Sequence, residues 1–191
     1  MRKATAMQQE LNLRQMLRAS HVDRWQIVNV AVRQSVAEHM YRVYTICTAI
    51  VGVLEDDGWN DPAVRADIEA WSLIHDLPEV MVGDIPTPTK ELMVSRGNNR
   101  CIDEGISKSA DVMRLIAEVE EPIVADIVKI ADLAESIDFL HMNGLGSNAD
   151  KICISLRSKL KAKFEFCKER HPNINWNKIE SLLNDNIEGG L

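Results

Sequence analysis

Apolar residues recur every three or four positions along most of the chain, which is the spacing of one face of an α-helix. The segment S-V-A-E at 35–38 is a capping box, in which Ser35 can cap a helix and Glu38 can reach back. Neither an alternating strand pattern nor an internal repeat interrupts this spacing. The pattern therefore predicts an all-α protein. Its clearest stripe is Val36, Met40, Val43, Cys47, Ile50 and Leu54.

Start and stop signals divide the rest of the chain into further helices. Asp61 caps a helix with Pro62 at its first position, and its inner stripe is Val64, Ile68, Trp71 and His75. Pro78 lacks an N–H, so this helix should stop or kink just after Asp76. We expect GDIPTPTK to be an irregular loop and the polar stretch 95–110 to lead into a helix. Other helices are expected over about 8–19, 122–141, 148–170 and 175–187.

Length and composition indicate one globular domain spanning residues 1–191, because 46% of the residues are hydrophobic and no linker divides the chain. The net charge of −7 argues against a nucleic-acid polymer as partner, although a nucleotide needs only a few local cations. No apolar run approaches the roughly 20 residues of a membrane span, and the N-terminus is typical of an amphipathic helix rather than a signal peptide. The cysteines (Cys47, Cys101, Cys153 and Cys167) form no C-x-x-C pair and are expected to be small buried hydrophobes.

Two histidines and two aspartates occupy helical positions that favour a shared metal site. His39 borders the stripe after Ser35, His75 shares a face with Trp71, and Asp76 lies where the helix breaks. Asp132 lies inside an apolar helix, where a carboxylate needs a partner. Mixed nitrogen and oxygen ligands suit Mn, Fe, Co or Zn.

Structural roles explain each of these residues taken singly. A histidine on a helix is more often structural than a ligand, and Asp132 could pair with Arg24, Arg33 or Lys129. Glu79 could be a solvated helix residue, and Asp84 a turn former after Gly83. The combination favours a metal, because four such structural roles would have to coincide.

His39, the pair His75-Asp76 and Asp132 resemble the H…HD…D signature of HD-domain metal phosphohydrolases. The fold implied is the HD-domain helical bundle, with the metal between its central helices. The surrounding motifs resemble the small 5′-deoxynucleotidase branch, which includes phage dATP triphosphohydrolases, over residues 10–165. These motifs are RW at 24–25, SVAEH at 35–39, HDLPEVMVGDIPTPTK at 75–90 and KIADLAE at 129–135.

The resemblance implies a role for each matching residue. His39, His75, Asp76 and Asp132 would hold one divalent metal. Glu79 would be the general acid or base, and Asp84 would orient the water or protonate the leaving 5′-oxygen. The substrate-binding residues implied are Arg24, Lys90 and Lys129 at the phosphates, Trp25 against the sugar to exclude a 2′-hydroxyl, and Ile27 at the base. For Ile27, ordinary core packing is the stronger interpretation.

Two reactions fit the same implied site. One releases triphosphate from a deoxynucleoside triphosphate, and the other releases phosphate from a deoxynucleoside monophosphate. The segments R-W-x-I and DLAESIDFLHMNGLG favour the dATP-type triphosphohydrolase. A non-catalytic HD-like ligand-binding module is a third hypothesis. The resemblance further implies a homo-oligomer, a second Mg²⁺ with the phosphates, and a location in the cytoplasm of a bacterial cell or phage-infected host.

Overall fold

The computed structural model describes residues 13–97 and 121–187, and within these ranges the chain is a bundle of helices. The described extended pairings are two isolated bridges, Asp23–Ser35 and Val30–Gly144. The predicted all-α fold is therefore confirmed. The helices are α1 Leu13–Met16, continued by a 3-10 helix Leu17–His21, α2 Val36–Asp56, α3 Pro62–Ser72, α4 Glu79–Val82, α5 Thr87–Ser95, α6 Pro122–Asn143, α7 Gly146–Arg170 and α8 Trp176–Asn186.

Helix α6 lies at the centre of the bundle and packs against α7, α2 and α3. It is apolar on nearly all sides, which is typical of a helix surrounded by others. From Val43 onward the stripe predicted for α2 faces this core, whereas Val36 and Met40 pack in a second, smaller cluster with Ile74 and Leu77. Cys47 and Cys167 are buried in the core as expected, Cys153 is half-buried, and Cys101 lies outside the described residues. None of the described helices is long and apolar enough to cross a membrane.

Local caps fix where the helices around the site begin and end. The Ser35 hydroxyl accepts from the Glu38 N–H at 3.1 Å, and Asp61 Oδ1 accepts from the Val64 N–H at 3.1 Å, both as predicted. At the end of α6, a Cβ on Gly144 would lie 2.5 Å from the Leu140 carbonyl oxygen. Only glycine fits there, which explains the stop predicted at NGLG.

Two predicted boundaries are wrong. Helix α3 ends at Ser72, four residues before Asp76, because the chain tightens into turns in which Leu73 and Ile74 bond carbonyls three residues back. The segment GDIPTPTK is irregular only in its first half, since Thr87 begins α5. Pro88 lies in the first turn of α5, where a missing N–H costs no hydrogen bond.

The remaining boundaries agree with the sequence, apart from shifts of two residues at helix ends. Residues 8–12 of the first predicted helix and the helix predicted after 95–110 lie outside the described residues. The single domain over 1–191 stays a prediction.

Candidate metal centre and substrate cavity

His75 lies in the turn between α3 and α4, with its ring fixed by the backbone. Its Nδ1 is 2.8 Å from the Ser72 carbonyl oxygen, which can only accept, so Nδ1 carries the proton. Its Nε2 is buried and has no hydrogen-bond partner among the described residues. The turn therefore presents an unprotonated nitrogen to the interior of the site.

His39 is oriented in the same way by a carboxylate. The ring is fully buried, and its Nδ1 lies 2.6 Å from Glu135 Oε2. Its Nε2 lies 3.4 Å from Asp76 Oδ2 and 3.3 Å from Asp132 Oδ1, without a well-angled hydrogen bond to a described residue. An imidazole with Nδ1–H bound to a carboxylate and a free Nε2 is the usual arrangement of a metal ligand.

The two rings and Asp76 form a group that can hold a metal ion. Within the described chain, one ligand atom from each of His39, His75 and Asp76 lies within 4.8 Å of the others. Asp132 is not in this group, although its Oδ1 contacts His39 and its Oδ2 accepts from Lys129 Nζ at 2.6 Å. Of its suggested ion partners, Lys129 is thus the one that pairs with Asp132, while Arg33 pairs with Asp23 at the surface.

The carboxylates around His39 create a negative environment that favours a cation at the centre of the group. Burial lowers the pKa of His39, as does Arg24, but the carboxylates of Asp132, Asp76 and Glu135 around the ring raise it to about 10. Burial acts to raise the pKa of Asp76, yet His75 and His39 hold it well below its usual range. The carboxylates thus favour positive charge at the centre of the group, which a divalent ion would supply.

Glu79 begins α4 beside this group, after the turns and Pro78 have ended α3. Its side chain is nearly buried, with Oε1 3.1 Å from Lys90 Nζ and Oε2 without a hydrogen-bond partner among the described residues. Burial, followed by the charges of Asp76 and Asp84, raises the pKa of Glu79 to about 8. At neutral pH the group is therefore mostly a carboxylic acid and can donate a proton.

A cavity of about 910 Å³ opens in front of the metal group. The predicted residues that line it are Arg24, Trp25, Ile27, Asp76, Glu79, Asp84, Lys90, Lys129 and Asp132. The structure therefore brings the predicted acids and cations to one cavity, with His39 and His75 behind it. Arg24 has two buried nitrogens, Nε and Nη1, that lack a described hydrogen-bond partner, although Nη1 lies 3.7 Å from Asp76 Oδ2.

Part of the cavity wall is formed by the segment that contains Trp25 and Ile27. The Trp25 ring stacks on Phe139 with centroids 5.8 Å apart, and the Arg24 guanidinium lies over the Trp25 ring at 5.4 Å from its centroid. Ile27 is 57% exposed and lines the cavity, so the interpretation of Ile27 as a core residue is wrong.

The sequence assigned no role to the residues that support His39. Glu135 is fully buried and also accepts from Gln34 Nε2 at 2.6 Å and contacts Arg42 Nε at 2.8 Å. The signal was present, because Glu135 is a carboxylate in an apolar helix and needs partners for the same reason as Asp132. Gln34 carries no such signal, since it directly precedes the cap Ser35 in an exposed-looking segment.

Comparison with known proteins agrees with this geometry. The fold resembles that of the Cyanophage S-2L HD phosphohydrolase DatZ, solved with dA and one catalytic Zn²⁺, with a TM-score of 0.70, 24% identity, and coverage of 93% of this chain and 97% of that one. The bundle is therefore an HD-phosphohydrolase fold. A model of the 5′-deoxynucleotidase YfbR-like family matches residues 12–165, and the chain belongs to this family.

Curated relatives of the chain include two phage enzymes. The dATP triphosphohydrolase of Cyanophage S-2L is 35% identical over 150 residues, which is 77% of this chain and 79% of that protein. The dATP triphosphohydrolase of Acinetobacter phage SH-Ab 15497 is 29% identical over 186 residues, which is 91% of this chain and 90% of that protein. The chain is thus a metal-dependent phosphoric-ester hydrolase.

Proposed function

We propose that this chain is a dATP-type triphosphohydrolase, which cleaves the 5′ ester of a deoxynucleoside triphosphate to give deoxynucleoside and triphosphate. One observation carries the proposal: the His39, His75 and Asp76 group opens onto a cavity lined by a carboxylic acid and several cations. The phage relatives named dATP triphosphohydrolases support it over most of the length of the chain.

One divalent transition metal would be held by His39, His75 and Asp76, with Asp132 as the fourth ligand. The donor set suits Zn²⁺, and Mn²⁺, Co²⁺ and Fe²⁺ are alternatives. Such an ion supplies an acidified water and polarises a phosphoryl oxygen. Lys129 keeps one oxygen of Asp132 fixed and leaves the other, Oδ1, directed at the metal group.

Glu79 would act as the general acid, and Asp84 would assist it. Water attacks the α-phosphorus, and the bond between this phosphorus and the 5′-oxygen breaks. Glu79, whose pKa is raised by burial and by the charges of Asp76 and Asp84, donates its proton to the leaving 5′-oxygen. The proton lost by the attacking water returns the carboxylate to its acid form. Asp84 lies in the same cavity, where its charge helps to keep Glu79 protonated, and it would orient the water.

The cations of the cavity would neutralise the phosphates. Arg24 has spare N–H donors in a fork that suits a phosphoryl group, and Lys90 and Lys129 line the same cavity. Trp25 would pack against the sugar and exclude a 2′-hydroxyl, while exposed Ile27 would contact the base. A second Mg²⁺ would accompany the phosphates.

The second candidate is a 5′-deoxynucleotidase acting on deoxynucleoside monophosphates, which the description of the family favours. We prefer the triphosphate because the cavity continues along α7, where Lys159 joins its wall. A monophosphate would leave this end without a charged group. A non-catalytic binding module would have no need for both Glu79 and Asp84 beside the metal group.

We also propose that the protein forms a dimer or larger homo-oligomer in the cytoplasm of a bacterial cell or an infected host. Support for the oligomer comes from large apolar side chains that the described part of the chain leaves exposed, among them Tyr41, Met142 and Ile154. Sedimentation analysis tests this, and a monomer at micromolar concentration would contradict it.

The substrate is tested by incubating the purified protein with each of the four dNTPs and four dNMPs, with Zn²⁺, Mn²⁺ or Co²⁺, and separating the products by ion-exchange chromatography. We expect dATP to be consumed with release of deoxyadenosine. Turnover of dAMP together with no turnover of dATP would establish the second candidate instead.

A further inference from the structure

A buried chain of hydrogen bonds connects the cavity wall with the metal group. Trp25 Nε1 donates to Gln34 Oε1 at 2.9 Å, and Gln34 Nε2 donates to Glu135 Oε1 at 2.6 Å. The other oxygen of Glu135 lies 2.6 Å from His39 Nδ1. Gln34, Glu135 and His39 are all fully buried, so water does not compete for these bonds.

The chemistry of Trp25 fixes the orientation of the Gln34 amide. An indole N–H can only donate, so the oxygen of the Gln34 amide must face Trp25 and the NH₂ must face Glu135. The Glu135 carboxylate accepts from Gln34 with one oxygen and from His39 Nδ1–H with the other. His39 therefore turns its Nε2 toward Asp76 and Asp132 in the metal group, at the far end of a chain that begins in the cavity wall.

The backbone of Trp25 needs this support. Its φ of +62° is the one positive value among the described non-glycine residues, and a bulky residue adopts it only when its surroundings hold it there. Gln34 stabilises this turn through two hydrogen bonds. Its side-chain oxygen accepts from the indole N–H, and its backbone carbonyl accepts from the Arg24 N–H at 2.8 Å. Stacking on Phe139 completes the support.

We propose that Gln34 is a positioning residue that couples ion binding at His39 to the placement of the Trp25 ring. A cation at His39 Nε2 draws electron density from the ring, which strengthens the Nδ1–H bond to Glu135 and polarises the bonds beyond it. Coupling between two sites is reciprocal, so the indole N–H also strengthens ion binding at His39. The consequence for sugar selection rests on the function proposed above.

Zn²⁺ affinity, measured by competition with a chromogenic chelator, tests the coupling without any nucleotide. Gln34→Met should weaken Zn²⁺ binding about tenfold, the lower end for a residue that supports a ligand. Trp25→Phe removes only the indole donor and should weaken it about threefold, because it lies one bond further away. Gln26→Met is the matched control, since Gln26 adjoins Trp25 but its amide donates to the Asp23 carbonyl and takes no part in the chain; its Zn²⁺ affinity should equal that of the wild type. Wild-type affinity in both Gln34→Met and Trp25→Phe would overturn the proposal.

A second measurement uses the wild-type protein and does not depend on a variant that folds poorly. The ¹⁵N–¹H signal of the Trp25 indole is assigned by its loss in Trp25→Phe. It should move when Zn²⁺ binds to the wild type and stay in place when Zn²⁺ binds to Gln34→Met. A Trp25 signal that does not respond to saturating Zn²⁺ in the wild type would show that no coupling exists.

The preference for dATP over ATP tests the consequence for the sugar. It should fall about tenfold in Gln34→Met, with most of the change in KM for ATP, because a looser Trp25 ring admits the 2′-hydroxyl. An unchanged preference would overturn this part. The Zn²⁺ affinity and the NMR signal are measured without substrate, so they test the coupling alone. A failure of the proposed dATP reaction would appear only in the turnover measurements.

Discussion

Single atoms without partners define the centre of this site. Nε2 of His39, Nε2 of His75 and Oε2 of Glu79 are buried, and none has a hydrogen-bond partner among the described residues. A buried polar atom left unpaired costs about 1–3 kcal/mol, so three of them around one cavity indicate that a ligand completes their bonding. In the proposed function, the metal ion and a reacting phosphoryl group would be these ligands.

Replacing Glu79 should separate chemistry from metal binding. Glu79→Gln keeps the shape and removes the proton donor, so kcat should fall by about 10²- to 10⁴-fold. Zn²⁺ affinity should stay within about twofold, because Glu79 is not a metal ligand in this account. Glu69→Gln is the control, since Glu69 pairs with Arg65 on α3 outside the cavity and should behave as the wild type. A kcat equal to the wild type in Glu79→Gln would refute its role as the acid.

The carboxyl group of Glu79 should titrate near pH 8 in the metal-free protein, as observed by ¹³C NMR. Burial and the charges of Asp76 and Asp84 disfavour its ionised form, which raises the pKa of Glu79. Asp84→Asn removes one of these charges and should lower the pKa of Glu79. If Glu79 titrates between pH 4 and 5 in the wild type, the cavity is more polar than described.

Helices α6 and α7 are held together by a carboxylate at the start of α6. Asp126 is 2% exposed, and it accepts from Lys163 Nζ at 2.6 Å and lies 2.7 Å from His171 Nε2. Because α6 also supplies Asp132 and Glu135, its position relative to α7 determines the width of the cavity. A substitution that breaks the contacts of Asp126 should therefore also change the width of the cavity.

Asp126→Ala should lower the free energy of unfolding by about 3–5 kcal/mol, because it leaves Lys163 partly buried without its partner. Lys168→Ala is the control, since Lys168 on α7 pairs at the partly exposed surface with Glu165 on α7 and Glu180 on α8; it should cost at most about 1 kcal/mol. Urea unfolding measures both. If the free energy of unfolding falls by the same small amount in both variants, Asp126 does not hold α6 and α7 together.

The contribution of Asp126 to the free energy of unfolding should depend on pH in one definite direction. Burial acts to raise the pKa of Asp126, but Lys163 and His171 hold it below its usual value. The contribution is therefore fully present above the unfolded-state pKa of about 4 and is lost as pH falls through the lower folded-state value. The difference in stability between the wild type and Asp126→Ala should shrink below pH 4.

Sequence patterns predicted the helices that pack along one continuous apolar stripe. They misplaced the helix boundaries that local turns determine. The stripe of α2 and the apolar run of α6 were sufficient to place both helices in the core. The end of α3 and the start of α5 were misplaced, because proline is compatible with both a stop and a first turn. Hydrophobic spacing carries no information about which of the two applies.

For the whole molecule, ion binding should stabilise the folded state. The proposed metal ligands His39, His75 and Asp76 come from α2 and the turn after α3, and the proposed fourth ligand Asp132 comes from α6, so the ion should bind tightly only when these elements are assembled. Zn²⁺ at about 100 times its Kd should add about 2.7 kcal/mol to the free energy of unfolding. His75→Ala should lose this gain and all turnover. A gain that persists in His75→Ala would place the ion elsewhere.

The sequence predicted most of the residues that line the candidate site but only one of its connections, the pair of Lys129 with Asp132. His39, His75, Asp76 and Asp132 were predicted from their helical positions and a motif, and the cavity residues from the same resemblance. The support of His39 by Glu135 and Gln34 links positions about a hundred residues apart in the chain. Such a link depends on how α2 and α6 pack, which periodicity does not encode.

In the proposed reaction, the phosphate chain is released intact after attack at the α-phosphorus. The most direct test is the hydrolysis of dATP in H₂¹⁸O with Zn²⁺, followed by ³¹P NMR and mass spectrometry of both products. We predict unlabelled deoxyadenosine and intact triphosphate that carries one ¹⁸O on a terminal phosphorus. Release of inorganic phosphate or diphosphate, or label in the deoxyadenosine, would contradict the account.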